Sequence, residues 1–198
     1  MRIIYGAYKN IRNAAWQVLI DFSVCELPVS VSRIAKMADI QIKRDSNVHM
    51  LEPNEFGRSF LVDNQWYIVY DDTKNPAMSR FTIGHELGHI FLGHDLKDSK
   101  YHSRTFDTDK PIIETEADMF VARILSPACV LWALDLHTAE EISAICNITA
   151  TAAKARAERM AILYNRNMFL SHPLERQLFA QFKPYIENKK SEANRFGE

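Results

Sequence analysis

The spacing of apolar and polar residues changes character along the chain. Between residues 8 and 25, Ile11, Ala14, Ala15, Val18, Leu19 and Phe22 recur at the period of a helix with one buried face. Pro28 interrupts this pattern. Ser30 or Ser32 is then placed to cap a short helix running through Ala38. From 40 to 71 the texture turns to strand. Arg58 to Val62 and Trp66 to Tyr70 flank the polar pair Asp63-Asn64, which predicts a hairpin. Trp66, Ile68 and Tyr70 alternate with Tyr67 and Val69, so the second of these strands is half-buried. Asn75-Pro76 marks a helix start, because a proline in the first turn gives up no hydrogen bond. That helix is expected to end near Gly93. Residues 95–109 are polar and read as a surface loop, and Pro111 opens a further helix to Ser126-Pro127. Thr138 to Leu163 predicts two helices joined near Asn147–Thr149. Leu174 to Ile186 predicts a last amphipathic helix, and Asn188 onward reads as a polar tail.

This order of elements predicts an α+β fold with a small antiparallel sheet and additional C-terminal helices. The expected division is a main domain over 1–135, a helical segment over 136–187 packed on it, and the tail 188–198. With 198 residues, 47% of them apolar, the chain suffices for one substantial core. A net charge of −1 leaves no global footprint for nucleic acid. No apolar run is long enough to span a bilayer; the most apolar stretch, Met119 to Leu136, is broken by Arg123, Ser126, Pro127 and Asp135. The first ten residues lack the apolar core of a signal peptide. Cys25, Cys129 and Cys146 form no paired motif, and each lies among apolar residues as an expected buried thiol. These features together predict a cytoplasmic protein.

The chemistry concentrates at His85-Glu86-Leu87-Gly88-His89. Histidines at i and i+4 stand about 40° apart around a helix, so one Zn²⁺ can take both imidazoles. Glu86, on neighbouring helix surface, is placed to take a proton from a water at the metal. A peptidase site needs a third protein ligand and a position left for water. The candidates are His94, Asp95, His102, Glu114, Glu116 and Asp118. A subclass with a third histidine after a glycine turn does not fit. Its glycine position is Leu92, the glycine comes one residue late at Gly93, and the ligand position holds Asp95.

Over residues 111–125, Glu114, Asp118, Val121 and Leu125 fall within about 60° of one another on a helix, while Glu116 lies on the opposite side. Two carboxylates sharing an apolar face need charged partners. Glu114 as metal ligand and Asp118 as acceptor from a histidine N–H satisfies both. The alternative is that both pair with basic residues in an ordinary interior network. Gly84 and Gly88 lie on one side of the histidine helix, where glycine costs about 1 kcal/mol relative to alanine, and they suggest close approach by another backbone. Ile83, Leu87, Ile90 and Phe91 form its buried stripe, with the histidine side expected to face a cleft.

Other signals are weaker. Ala139 to Cys146 and Ala150 to Leu163 have the outline of a helix-turn-helix decorated by Lys154, Arg156 and Arg159, but Glu140, Glu141 and Glu158 offset that charge. Two packed helices with a solvated basic edge is the favoured reading. His49, His137 and His172 show no ligand spacing. His94 and His102 are candidates to line the cleft and stabilise an oxyanion.

Arg80 to His89, followed by Glu114-x-Glu-Ala-Asp118-x-Phe-Val-Ala and Leu125-Ser-Pro127, resembles the ImmA/IrrE family of zinc metallopeptidases. The match is specific over 76–127 and looser through Pro28 to Ala35 and Thr138 to Arg159. The family often has Asn at position 118 and Met just before the proline, where this chain has Asp118 and Ser126. The resemblance implies a zincin-like, gluzincin-type site with His85, His89 and Glu114 as zinc ligands, Glu86 as general base and Asp118 behind a histidine. It also implies a helix-turn-helix repressor, encoded beside it on a phage or mobile element, as protein substrate; the charge and the apolar run lengths, not the resemblance, argue against direct nucleic-acid or membrane binding. In zincin-type clefts an edge strand beside the histidine helix takes extended peptide, a part open to the upstream hairpin. The readings carried forward are a zinc endopeptidase and, of another class, a regulatory module that captures a repressor or antitoxin with little proteolysis. A purely structural metal site would leave Glu86 without a role.

Overall fold

The structure is a computed structural model that describes residues 11–94 and 112–196. The expected loop 95–109, the candidates Asp95 and His102, and Pro111 lie outside the described residues. The chain clusters into two compact units, Met1–Ala14 with Ser30–Val121, and Ala15–Val29 with Ala122–Glu198.

Helix α1 (Ile11–Asp21) opens the described chain. In the first unit, α2 (Val31–Met37) starts where Ser30 Oγ accepts the Arg33 N–H, so Ser30 rather than Ser32 is the cap. Strand β1 (Ile40–Arg44) and the short α3 (Asp45–Val48) lead to the hairpin β2 (Gly57–Val62) and β3 (Gln65–Tyr70). Asp63 and Asn64 form its two-residue turn at φ 48° and 62°, the left-handed values that such a turn requires. The sheet order is β1-β3-β2, with β2 antiparallel and β1 parallel to β3. The expected all-antiparallel sheet is therefore corrected. The hairpin fills one edge of β3, and β1 takes the other with Ile40 opposite Trp66 and Ile42 opposite Ile68.

Helix α4 (Pro76–Leu92) packs against β2, β3 and α2. Asn75 Oδ1 accepts the Met78 N–H at its start, and Gly93 ends it at φ 74°. Every residue from Thr82 to Phe91 is buried, so the histidine side is enclosed rather than open. Helix α5 (Ile112–Leu125) follows. A Cβ on Gly88 would stand 3.1 Å from Phe120 Cδ1 and 3.3 Å from Ala117 Cα, which is why this face of α4 carries glycine. The division between the compact units falls inside α5, a continuous helix with no composition signal at that point.

The second unit holds α6 (Ala128–Ala133), α7 (Ala139–Cys146), α8 (Ala150–Arg166) and α9 (Pro173–Phe196). Its core gathers Leu131, Ile142, Met160, Leu178 and Phe182. Thr138 and Glu141 cap α7 reciprocally. Helix α9 continues ten residues past Ile186, where Lys189 and Glu192 pair at 2.8 Å, so most of the expected tail is helical. Arg156 is half-buried and donates to the Ser126 carbonyl, which takes it off the expected solvated edge. Cys129 and Cys146 are buried as expected, but Cys25 is exposed. No helix among the described residues is long and apolar enough to cross a membrane.

Candidate metal centre

Helix α4 brings His85 and His89 onto one side with their Nε2 atoms 3.0 Å apart. Glu114, in the first turn of α5, places Oε2 3.1 Å from His85 Nε2 and Oε1 3.1 Å from His89 Nε2. All three are buried, at 3, 2 and 4% exposure, and each offers a ligand atom within 4.8 Å of the others. Asp118, one further turn along α5, places Oδ1 2.8 Å from His85 Nδ1. The helical spacing that put Glu114 and Asp118 on one face thus brings both to the same imidazole, from opposite sides of the ring.

Asp118 as a carboxylate can only accept, so the shared proton sits on His85 Nδ1 and leaves a lone pair at Nε2. That lone pair faces a second ring nitrogen at 3.0 Å and a carboxylate oxygen at 3.1 Å. Electron-rich atoms converging this closely call for a cation among them. A tetrahedral ion with bonds of about 2.0–2.1 Å sets its ligand atoms about 3.3 Å apart, so the donor set fits a divalent metal ion. Burial by itself raises the Glu114 carboxyl. Where the two rings are protonated, hydrogen bonds and charge attraction from His85 and His89 outweigh it and hold Glu114 well below the usual carboxylate range.

Glu86 is 6% exposed and accepts a 2.7 Å hydrogen bond from Ser59 Oγ on β2. Ser59 was not singled out in the sequence. Strand alternation places it on the same face as Gly57, but nothing local says that this face meets α4. Gly57 permits the approach, since a Cβ there would lie 2.4 Å from Thr82 Cγ2. His85, Glu86, His89 and Glu114 line a cavity with Phe56, Gly57 and Thr82. Among the described residues, β2 forms one edge of the sheet and stands directly beside Glu86, while β3 is central.

The remaining ligand candidates fall elsewhere. His94 does not join the His85–His89–Glu114 group; its Nδ1 lies 2.9 Å from His89 Nδ1 and its Nε2 3.1 Å from Glu116 Oε2. It sits behind His89, which corrects its expected place as a cleft-lining donor. Burial first, then the neighbouring His89, lower the His94 ring below the usual histidine range, with Glu116 opposing them. Glu116 keeps 38% of its side chain exposed, on the side that the helical spacing assigned to it. Of the other histidines, His137 stacks on Tyr164 at 4.4 Å and His172 lies 5.5 Å from the Trp16 ring.

The family model for the IrrE N-terminal-like domain, Peptidase_M78, matches residues 42–158, more than half of the chain. The chain belongs to the ImmA/IrrE family. The match runs from within β1 to about halfway along α8 and therefore includes every residue of the metal-binding group. Membership of a peptidase family, with a buried His-His-Glu group able to hold a metal ion, points to a metallopeptidase. No curated relative matches the chain.

Proposed function

We propose that this ImmA/IrrE protein is a zinc-dependent endopeptidase that cuts a helix-turn-helix repressor encoded on a phage or mobile element. The observation that carries the catalytic part is the convergence of His85, His89 and Glu114 with a buried carboxylate, Glu86, beside them. His85, His89 and Glu114 would hold the ion, and Asp118 would fix the His85 ring from behind. When bound, zinc supplies Lewis acidity to the scissile carbonyl and to the attacking water. Glu86 accepts the proton of that water and returns it to the leaving amine. Ser59 holds one Glu86 oxygen and leaves the other for this exchange. The outer edge of β2 gives an extended peptide a row of backbone partners beside Glu86.

The repressor as substrate rests on the family resemblance. A protein rather than nucleic acid partner accords with the net charge of −1 and with Arg156 turned inward on α8. Glu86→Gln keeps the size of the side chain and removes the base. We expect this variant to fold, bind zinc and bind the neighbouring repressor without cutting it, as followed by mass spectrometry of the products. Wild-type protein that leaves the repressor intact, yet inactivates it stoichiometrically, would replace the peptidase with the capture module.

A further inference from the structure

The two histidines of α4 are supported in different ways. His85 meets a carboxylate directly, through Asp118 Oδ1 at 2.8 Å. His89 meets another imidazole, His94, whose far nitrogen meets Glu116. Helix termination creates this second arrangement. Gly93 adopts φ 74°, and the backbone N–H of His94 returns to the His89 carbonyl at 3.1 Å. The chain thereby folds back over the last turn of α4 and lays the His94 ring beside that of His89, with centroids 5.0 Å apart.

The protons along this line are determined by what each group can do. The Glu116 carboxylate only accepts, so His94 Nε2 carries a hydrogen and donates it. A metal held at His89 Nε2 takes the lone pair there, so His89 carries its hydrogen on Nδ1 and donates it to the His94 Nδ1 lone pair. His89 Nε2 is the atom that faces His85 Nε2 and Glu114. Both ring nitrogens of His94 are occupied, so it has none to spare as a metal ligand or oxyanion donor.

We propose that Glu116 and His94 are positioning residues that act through His89, fixing its tautomer and ring orientation for metal binding. This rests on the reading of His89 as a ligand. Glu116 and Asp118 then share one task from neighbouring positions of α5, one through an inserted imidazole and the other directly. The relayed contact costs His89 no buried negative charge, because the carboxylate at its end is more than a third exposed.

The test is zinc affinity by competition with a chromophoric chelator, with metal-free unfolding temperatures as a check on folding. His94→Ala should weaken zinc binding about 10–100-fold while retaining one site. Glu116→Ala should weaken it less, about 3–10-fold, since water can replace the exposed carboxylate, and Glu116→Gln, which still accepts from His94, should restore it to within about twofold. A His94→Ala affinity within about twofold of wild type, beside a His85→Ala variant that has lost binding, would overturn the relay alone. A His85→Ala variant with wild-type affinity would overturn the metal-site reading together with it. A second measurement needs no variant. Imidazole ¹H–¹⁵N spectra of the zinc-loaded protein should show His89 protonated at Nδ1, with that proton protected from exchange. A freely exchanging Nδ1 proton, or ligation through Nδ1, would overturn the proposal.

Discussion

Asp118 shows how much one side chain can be asked to do. It accepts from His85 Nδ1 at 2.8 Å, while a third of its own side chain remains exposed. Partners of this kind are worth about 10–100-fold in metal affinity or activity, so Asp118→Ala should lose that much without abolishing the site. Asp118→Asn should stay near wild type, because an amide oxygen accepts the same proton. Unchanged zinc affinity in the alanine variant would remove Asp118 from the account. The thiols give a separate test. Burial, and then the charge of Glu175, push Cys129 up to about 12, so its reactive thiolate is suppressed at every pH below that value. Cys146 is also buried and Cys25 is exposed. Thiol titration of the native protein at neutral pH should therefore find Cys25 alone, and denaturation should release the other two. Rapid labelling of Cys129 in the native state would contradict the packing of α6.

At the scale of elements, the site depends on how closely α5 lies on α4. Gly88 meets the Ala117 backbone, which lies between Glu114 and Asp118 on α5. Gly88→Ala gains about 1 kcal/mol of helix propensity but overpacks at a typical cost of about 1–3 kcal/mol, a net loss of up to about 2 kcal/mol. Zinc binding should weaken with it, because α5 carries Glu114. A variant that is more stable and binds zinc unchanged would show that the helices do not set the site. Features written in neighbouring residues were legible in the sequence: the helix starts at Ser30, Asn75 and Thr138, the turn at Asp63-Asn64, and the shared face of Glu114 and Asp118. Features set by distant packing were not. Strand β1 joins β3 in parallel with no turn to announce it. Ser59 meets Glu86 across 27 positions of sequence. Helix α9 runs on beyond its last buried residue, Ile186, where hydrophobic periodicity gives out. Helical spacing alone set Glu116 apart, and only the reversal of the chain at Gly93 brings His94 between it and His89.

For the whole molecule, family membership and the buried His-His-Glu group support one account, a peptidase whose metal lies between α4 and α5 of the first unit. The C-terminal helices form a unit with its own core, and Arg156 is engaged by the Ser126 carbonyl of that unit. The central claim is that Glu114 completes the metal site. Zinc content after exhaustive dialysis tests it most directly, measured by elemental mass spectrometry on wild type, Glu114→Ala and Glu116→Ala supplied with saturating zinc beforehand. The account predicts one zinc per chain in wild type, retention of the site in Glu116→Ala with looser binding, and strong loss in Glu114→Ala. Full zinc in Glu114→Ala, with loss in Glu116→Ala, would contradict it.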